Sequence, residues 1–148
     1  MAIVLLDTNV LVYFVDPEDL RKQYRAEEVM NALRANQNGR LSVQNLAEFF
    51  YTSTRKLKPP LSPSQAMEQI DRFQTLWPVF SLTPVIVTEA ARGVRDHQLA
   101  YYDAQIWATA RLNGVPVIFS EDFQTGRTLE GVRFVNPFAD DFRLDAWL

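Results

Sequence analysis

The sequence predicts an α/β fold, a three-layer sandwich on a mostly parallel sheet of five strands. Three observations carry this. Two apolar runs, Ile3-Val4-Leu5-Leu6 and Val115-Pro116-Val117-Ile118-Phe119-Ser120, lack polar alternation, as expected of strands buried on both faces. Segments with helical spacing separate these runs from three shorter strand-like ones, the alternation that builds a parallel sheet. The first run stops at Asp7-Thr8-Asn9, where the chain must turn, and all three residues suit a helix N-terminus. Ligands of open parallel sheets bind outside the carboxyl ends of strands, so an acid at this point is either a helix cap or a reagent.

In chain order, Val10 to Val15 continues as a short helix ended near Asp16-Pro17. A helix follows over Glu18 to Asn36, with Leu20, Tyr24, Val29, Met30 and Leu33 spaced to face inward. Asn36-Gln37-Asn38-Gly39 ends it. Arg40 to Val43 is a short strand. Asn45 to Leu57 is a helix with Leu46, Phe49, Phe50, Ser53 and Leu57 on one face, broken by Lys58-Pro59-Pro60. Ser62-Pro63 opens a helix to about Trp77, with Met67, Ile70, Phe73 and Leu76 inward, and proline is preorganised for that first position. Val79 to Leu82 is the third strand, Thr83-Pro84 starts a helix to about Asp96, and Tyr101 to Asn113 is a helix stopped by Gly114. Val132 to Asn136 is the fifth strand, followed by an acidic tail.

The totals limit what such a chain does. At 148 residues, 47% of them apolar, a single domain with a substantial core is expected. A net charge of −3, from 15 basic and 18 acidic residues, excludes a passive basic coat for nucleic acid. It leaves open an enzyme that meets phosphates through metal ions and a local patch. The absence of cysteine excludes disulfides and thiolate metal sites and fits a reducing compartment. No basic segment leads into a cleavable apolar one, and no apolar run reaches ~18 residues, so a soluble cytoplasmic protein is expected.

Four acids hold equivalent places. Asp7 ends the first strand, Glu48 lies in the first turn of the helix after the second, Asp103 opens a helix, and Asp122 follows the strand Val117–Ser120. Each has an ordinary explanation: Asp7 as an N-cap, Asn45-Leu46-Ala47-Glu48 as a capping box, Asp103 as a partner of the helix dipole, Asp122 as a turn residue. Together they face one edge. Two carboxylates ~5 Å apart repel by about 3 kcal/mol at an effective dielectric of ~20, and four require a counter-charge. An all-oxygen cluster suits Mg²⁺ or Mn²⁺, whose chemistry here would be phosphodiester cleavage.

The blocks Leu5-Leu6-Asp7-Thr8-Asn9-Val10-Leu11, Asn45-Leu46-Ala47-Glu48-Phe49, Tyr102-Asp103-Ala104-Gln105-Ile106-Trp107-Ala108 and Phe119-Ser120-Glu121-Asp122-Phe123 resemble PIN-domain nucleases. Their order and spacing resemble the VapC toxins of toxin–antitoxin pairs, and the likeness runs on through Arg133-Phe134-Val135-Asn136-Pro137-Phe138. The resemblance implies strand order 3-2-1-4-5 and a metal held by Asp7, Glu48, Asp103 and Asp122, with Thr8 or Asn9 orienting them. It implies RNA cleavage by metal-activated water, products with 5′-phosphate and 3′-hydroxyl ends, dimers, and an antitoxin that blocks the site. In the last block, alignment on Ser120-x-Asp favours Asp122 and leaves Glu121 as a neighbour or outer acid.

Other residues weigh less. His97, the single histidine, falls in the polar run Arg95-Asp96-His97-Gln98 and reads as a solvated helix end, which leaves little for a Ser-His-Asp triad. Arg92, Arg95 and Arg127 flank the acidic edge and are candidates for RNA phosphate contacts, or simply a solvated face. Arg55-Lys56-Leu57-Lys58 matches the preference of a helix C-terminus for cations. Phe49, Phe50 and Trp107 fall on apolar faces, whereas Tyr51 and Tyr101 are open to a surface role such as base stacking. Two other functions compete. A haloacid-dehalogenase-like phosphohydrolase wants a second Asp two residues after its nucleophile, where Asn9 stands. A non-catalytic PIN-like module binding RNA or a partner would not need all four acids.

Overall fold

The computed structural model describes residues 1–123 and 125–148. Strand β1 (Val4–Leu6) runs into helix α1 (Thr8–Val15), followed by α2 (Leu20–Ala35), β2 (Gly39–Ser42), α3 (Val43–Arg55), α4 (Pro63–Leu76), β3 (Val79–Phe80), α5 (Pro84–His97) and α6 (Tyr101–Leu112). Then come β4 (Val117–Phe119), β5 (Thr128–Leu129), β6 (Val132–Val135) and a terminal 3₁₀ turn, Leu144–Trp147. The sheet order is β3-β2-β1-β4-β6-β5. The five expected strands therefore stand in the expected order, all parallel, and a sixth, β5, adds an antiparallel edge through Leu129↔Val132. That hairpin was invisible beforehand because Thr128-Leu129 is two residues long, too short for a periodic signal.

Alternation within β1 and β4 makes the three layers. Val4, Leu6, Val117 and Phe119 pack under α1–α4, while Leu5 and Ile118 pack against α5 and α6 with Trp107 and Phe134. Every β1 residue is fully buried, as an uninterrupted apolar strand must be.

Several inward assignments fail for a geometric reason. In α2 the buried stripe is Ala26, Val29, Met30 and Leu33. At about 100° per residue, Leu20 and Tyr24 fall roughly 120° and 160° from it, and both are exposed. In α4 the face runs through Ala66, Ile70 and Phe73, which turns Met67 outward. Phe50 is only half-buried on the shoulder of α3. The capping box of α3 is formed by Ser42 and Asn45, one turn earlier than expected. Glu48 is thus the sixth helical residue, in the second turn, and has no capping duty.

Gly93 allows α5 to lie against α6: a Cβ there would sit 2.8 Å from Cζ3 of Trp107. That ring is fully buried, and its indole N–H donates to the Leu129 carbonyl at 3.2 Å. Gly93→Ala gains about 1 kcal/mol of helix propensity but forces overpacking of about 1–3 kcal/mol. A net loss of stability is expected in chemical denaturation, against the sign that propensity alone predicts.

Candidate metal centre

The pairing Leu6↔Phe119 places Asp7 beside Ser120 at the carboxyl ends of the two central strands. Asp7 caps α1: one carboxylate oxygen accepts from the Thr8 amide at 2.7 Å, and the other accepts from the Ser120 hydroxyl at 2.7 Å. Cap and site are therefore one arrangement. Asn9, two residues on, donates from its amide nitrogen to Ser120 Oγ at 3.2 Å and to the Asp122 carboxylate at 3.1 Å. The Asp122 backbone N–H donates to the same Ser120 oxygen at 3.0 Å. Ser120, fully buried, thus joins both acids. Ser120→Ala removes all three bonds and is expected to lower stability by about 1–3 kcal/mol, measured by urea unfolding, with loss of order at Asp122.

Glu48 reaches the same end of the sheet from α3. Its Oε1 accepts from Gln44 at 2.9 Å and from the Thr8 hydroxyl at 3.3 Å, while Asn45 donates to Thr8 at 3.3 Å. Gln44 also donates to the Tyr102 carbonyl at 3.0 Å and accepts from Gln105 at 2.8 Å. This buried pair of amides fixes the start of α6, and with it Asp103, against α3. Gln44 and Gln105 were missed in the sequence; Gln105 left a trace as a polar residue inside an apolar helix, where burial demands a partner.

The four carboxylates repel one another electrostatically. Burial drives the Asp7 pKa up to about 7, against the lowering effect of its bonds from Ser120 and Thr8, and the charges of Asp122 and Glu48 push the same way. Burial also raises Asp103, followed by the charges of Asp122 and Glu48. Among the described residues, none of the four forms an ion pair with Lys, Arg or His. No three acidic or histidine side chains there are gathered into closed ligand geometry either. The all-oxygen donor set is of the kind that suits a hard divalent cation. Beside them lies a cavity of about 370 Å³ lined by Thr8, Asn9, Glu48, Asp122 and Lys56. Asp7, with both oxygens engaged and 5% exposure, is badly placed to attack a phosphate as a nucleophile.

Glu121 turns away from this cluster. It pairs with Lys22 at 2.8 Å and accepts from the Tyr13 hydroxyl. Arg92 is enclosed by Glu89, Asp96 and Glu130, Arg95 pairs with Asp96, and Arg127 donates to the His97 carbonyl at 3.5 Å. Arg92 and Arg95 thus have carboxylate partners of their own, while the basic residue lining the acidic cavity is Lys56. His97 is less solvated than expected: it meets Glu130 at 2.7 Å and packs edge-on against Trp107.

A family model described as PIN domain matches residues 4–128. No curated protein matches the chain by sequence. Among solved structures, the chain is similar to VapC20 of Mycobacterium tuberculosis, described as a toxin that cleaves the sarcin-ricin loop. Identity is 20%, coverage is 88% of this chain and 98% of that one, and the TM-score is 0.66. It is similar also to a DNA-bound VapBC from Salmonella typhimurium, at 18% identity, 90% and 97% coverage and a TM-score of 0.63. A toxin–antitoxin complex from Klebsiella pneumoniae gives 18%, the same coverage and 0.62. At these identities the structures share the fold.

Proposed function

The chain belongs to the PIN-domain family, and from that premise we propose that it is a metal-dependent endoribonuclease, the toxin of a type II toxin–antitoxin pair. One observation carries the chemistry: four carboxylates from four separate segments face one end of the sheet, without ion-pair partners among the described residues. Asp7, Glu48, Asp103 and Asp122 would hold Mg²⁺ or Mn²⁺. Bound there, the ion would offset their charge, lower the pKa of an attacking water and stabilise the displaced phosphate oxygen.

The protein's own groups set the geometry. Ser120 fixes one oxygen of Asp7, Asn9 aims Asp122, and Gln44 with Thr8 aims Glu48. Lys56, on the cavity wall, offers positive charge to a phosphodiester that the acids would otherwise repel. The toxin assignment and its antitoxin partner draw on the neighbours described as VapBC and as a toxin–antitoxin complex. We further propose, from the sequence resemblance to VapC toxins, that the chain acts in the cytoplasm as a single PIN domain that dimerises. Among the described residues no helix is long and apolar enough to cross a membrane.

The test is incubation of purified, antitoxin-free protein with total RNA in Mg²⁺, Mn²⁺ or EDTA. Defined fragments with 5′-phosphate and 3′-hydroxyl ends, absent in EDTA, are expected. No cleavage by folded protein with either metal would overturn the proposal.

A further inference from the structure

We propose that the groove between Tyr51 and Tyr102 is a subsite that stacks an unpaired nucleobase next to the scissile phosphate; this rests on the ribonuclease reading. The groove, about 600 Å³, is lined by Ala47, Glu48, Tyr51, Thr52, Lys56 and Tyr102. It shares Glu48, Thr52 and Lys56 with the acidic cavity, so the two hollows adjoin along one wall. Helical spacing produces that wall: Glu48, Tyr51, Thr52 and Arg55 recur at intervals of three and four residues and project from one face of α3. Tyr102 directly precedes Asp103, and its carbonyl is tied to α3 by Gln44. Each tyrosine therefore stands within one helical turn of a carboxylate.

Both rings are unusually open, Tyr51 at 55% and Tyr102 at 66% exposure. The Arg55 guanidinium lies 5.3 Å from the Tyr51 ring centroid, and Tyr102 meets Tyr101 edge-on at 5.2 Å. Neither contact occupies both faces of a ring. Exposed tyrosines beside a cation, bordering a cavity of acids, match the pairing of stacking surface and backbone charge that binds single strands. Lys56 lines both hollows and would meet the phosphate between base and cleavage point. A base-paired strand keeps its faces covered, so the subsite selects loops and single strands.

The test is fluorescence anisotropy with a labelled single-stranded oligoribonucleotide and the full chain in EDTA, where hydrolysis is suppressed. Tyr51→Ala and Tyr102→Ala are each expected to weaken binding about five- to a hundredfold, with Tyr→Phe at either position staying within about twofold of wild type. In Mg²⁺ the alanine variants should raise KM with little change in kcat. Tyr24→Ala, exposed on the distant α2, serves as the control and should change nothing. Alanine variants that bind and cleave as wild type does, while wild type does both, would overturn the subsite alone and leave the ring pair to a protein partner. Folded wild type that neither binds nor cleaves RNA would overturn the subsite together with the nuclease.

Discussion

Asp7→Asn is expected to raise the melting temperature of the metal-free protein above pH 7 while abolishing RNA cleavage. The sign follows from burial. The folded-state pKa of Asp7 lies near 7, above its ordinary value of 3.8, so the folded chain holds this proton more tightly than the unfolded one. Stability is therefore lost as pH rises from about 4 to about 7, and the full cost is present above that. A three-unit shift corresponds to about 4 kcal/mol as an upper bound. Asparagine removes the charge and still caps α1, though its bond with Ser120 is weaker than that of a carboxylate. A net gain of about 1–3 kcal/mol, or roughly 3–8 °C, is expected by calorimetry at pH 8. At pH 4 the gain should vanish. A large drop in stability would instead make Asp7 purely a structural cap.

Mn²⁺ should stabilise the wild type by an amount comparable to the effect of the amide in the variant. A ligand that binds only the folded state adds about 2.7 kcal/mol at a hundred times its dissociation constant. The rise in melting temperature should be larger at pH 8 than at pH 6, because below about pH 7 the ion must displace the Asp7 proton. Asp7→Asn should lose most of this response. An equal response from wild type and variant would place the ion elsewhere.

Strand runs such as Val4–Leu6 and Val117–Phe119 are legible because burial on both faces leaves no polar residue in them. Asp7 and Asp103 stand out as acids because one closes a strand and the other lies in the first turn of a helix. Thr8, Asn9 and Ser120 were expected as supporting residues, but the contacts themselves were hidden: Ser120 touches Asp7 from 113 residues away, and Gln44 meets Gln105 across 61. No local pattern reports a contact of that range. The place of Glu48 in its helix was misjudged for the opposite reason. Asn45-Leu46-Ala47-Glu48 satisfied a local rule, but Ser42 at the end of β2 supplied a better cap one turn earlier. Arg92 illustrates a third limit, since the partner that closes its ion-pair set, Glu130, lies in the short β5–β6 turn that periodicity did not register.

The central claim is that these carboxylates hold an ion that drives RNA cleavage, and Asp103 isolates it best. It opens α6 without serving as the cap, which falls to Ala100 with no side-chain bond. Asp103→Asn should therefore fold normally, because the lost dipole interaction of about 0.3–1 kcal/mol is opposed by relief of the burial and repulsion that raise the pKa of this acid. The decisive measurement is the initial rate of RNA cleavage against Mn²⁺ concentration, for wild type beside Asp103→Asn. A saturable, EDTA-reversible rate in the wild type and loss of at least about a hundredfold in the variant, as for removal of a principal charge-stabilising group, is the predicted result. Equal rates, or cleavage that persists in EDTA, would contradict the account.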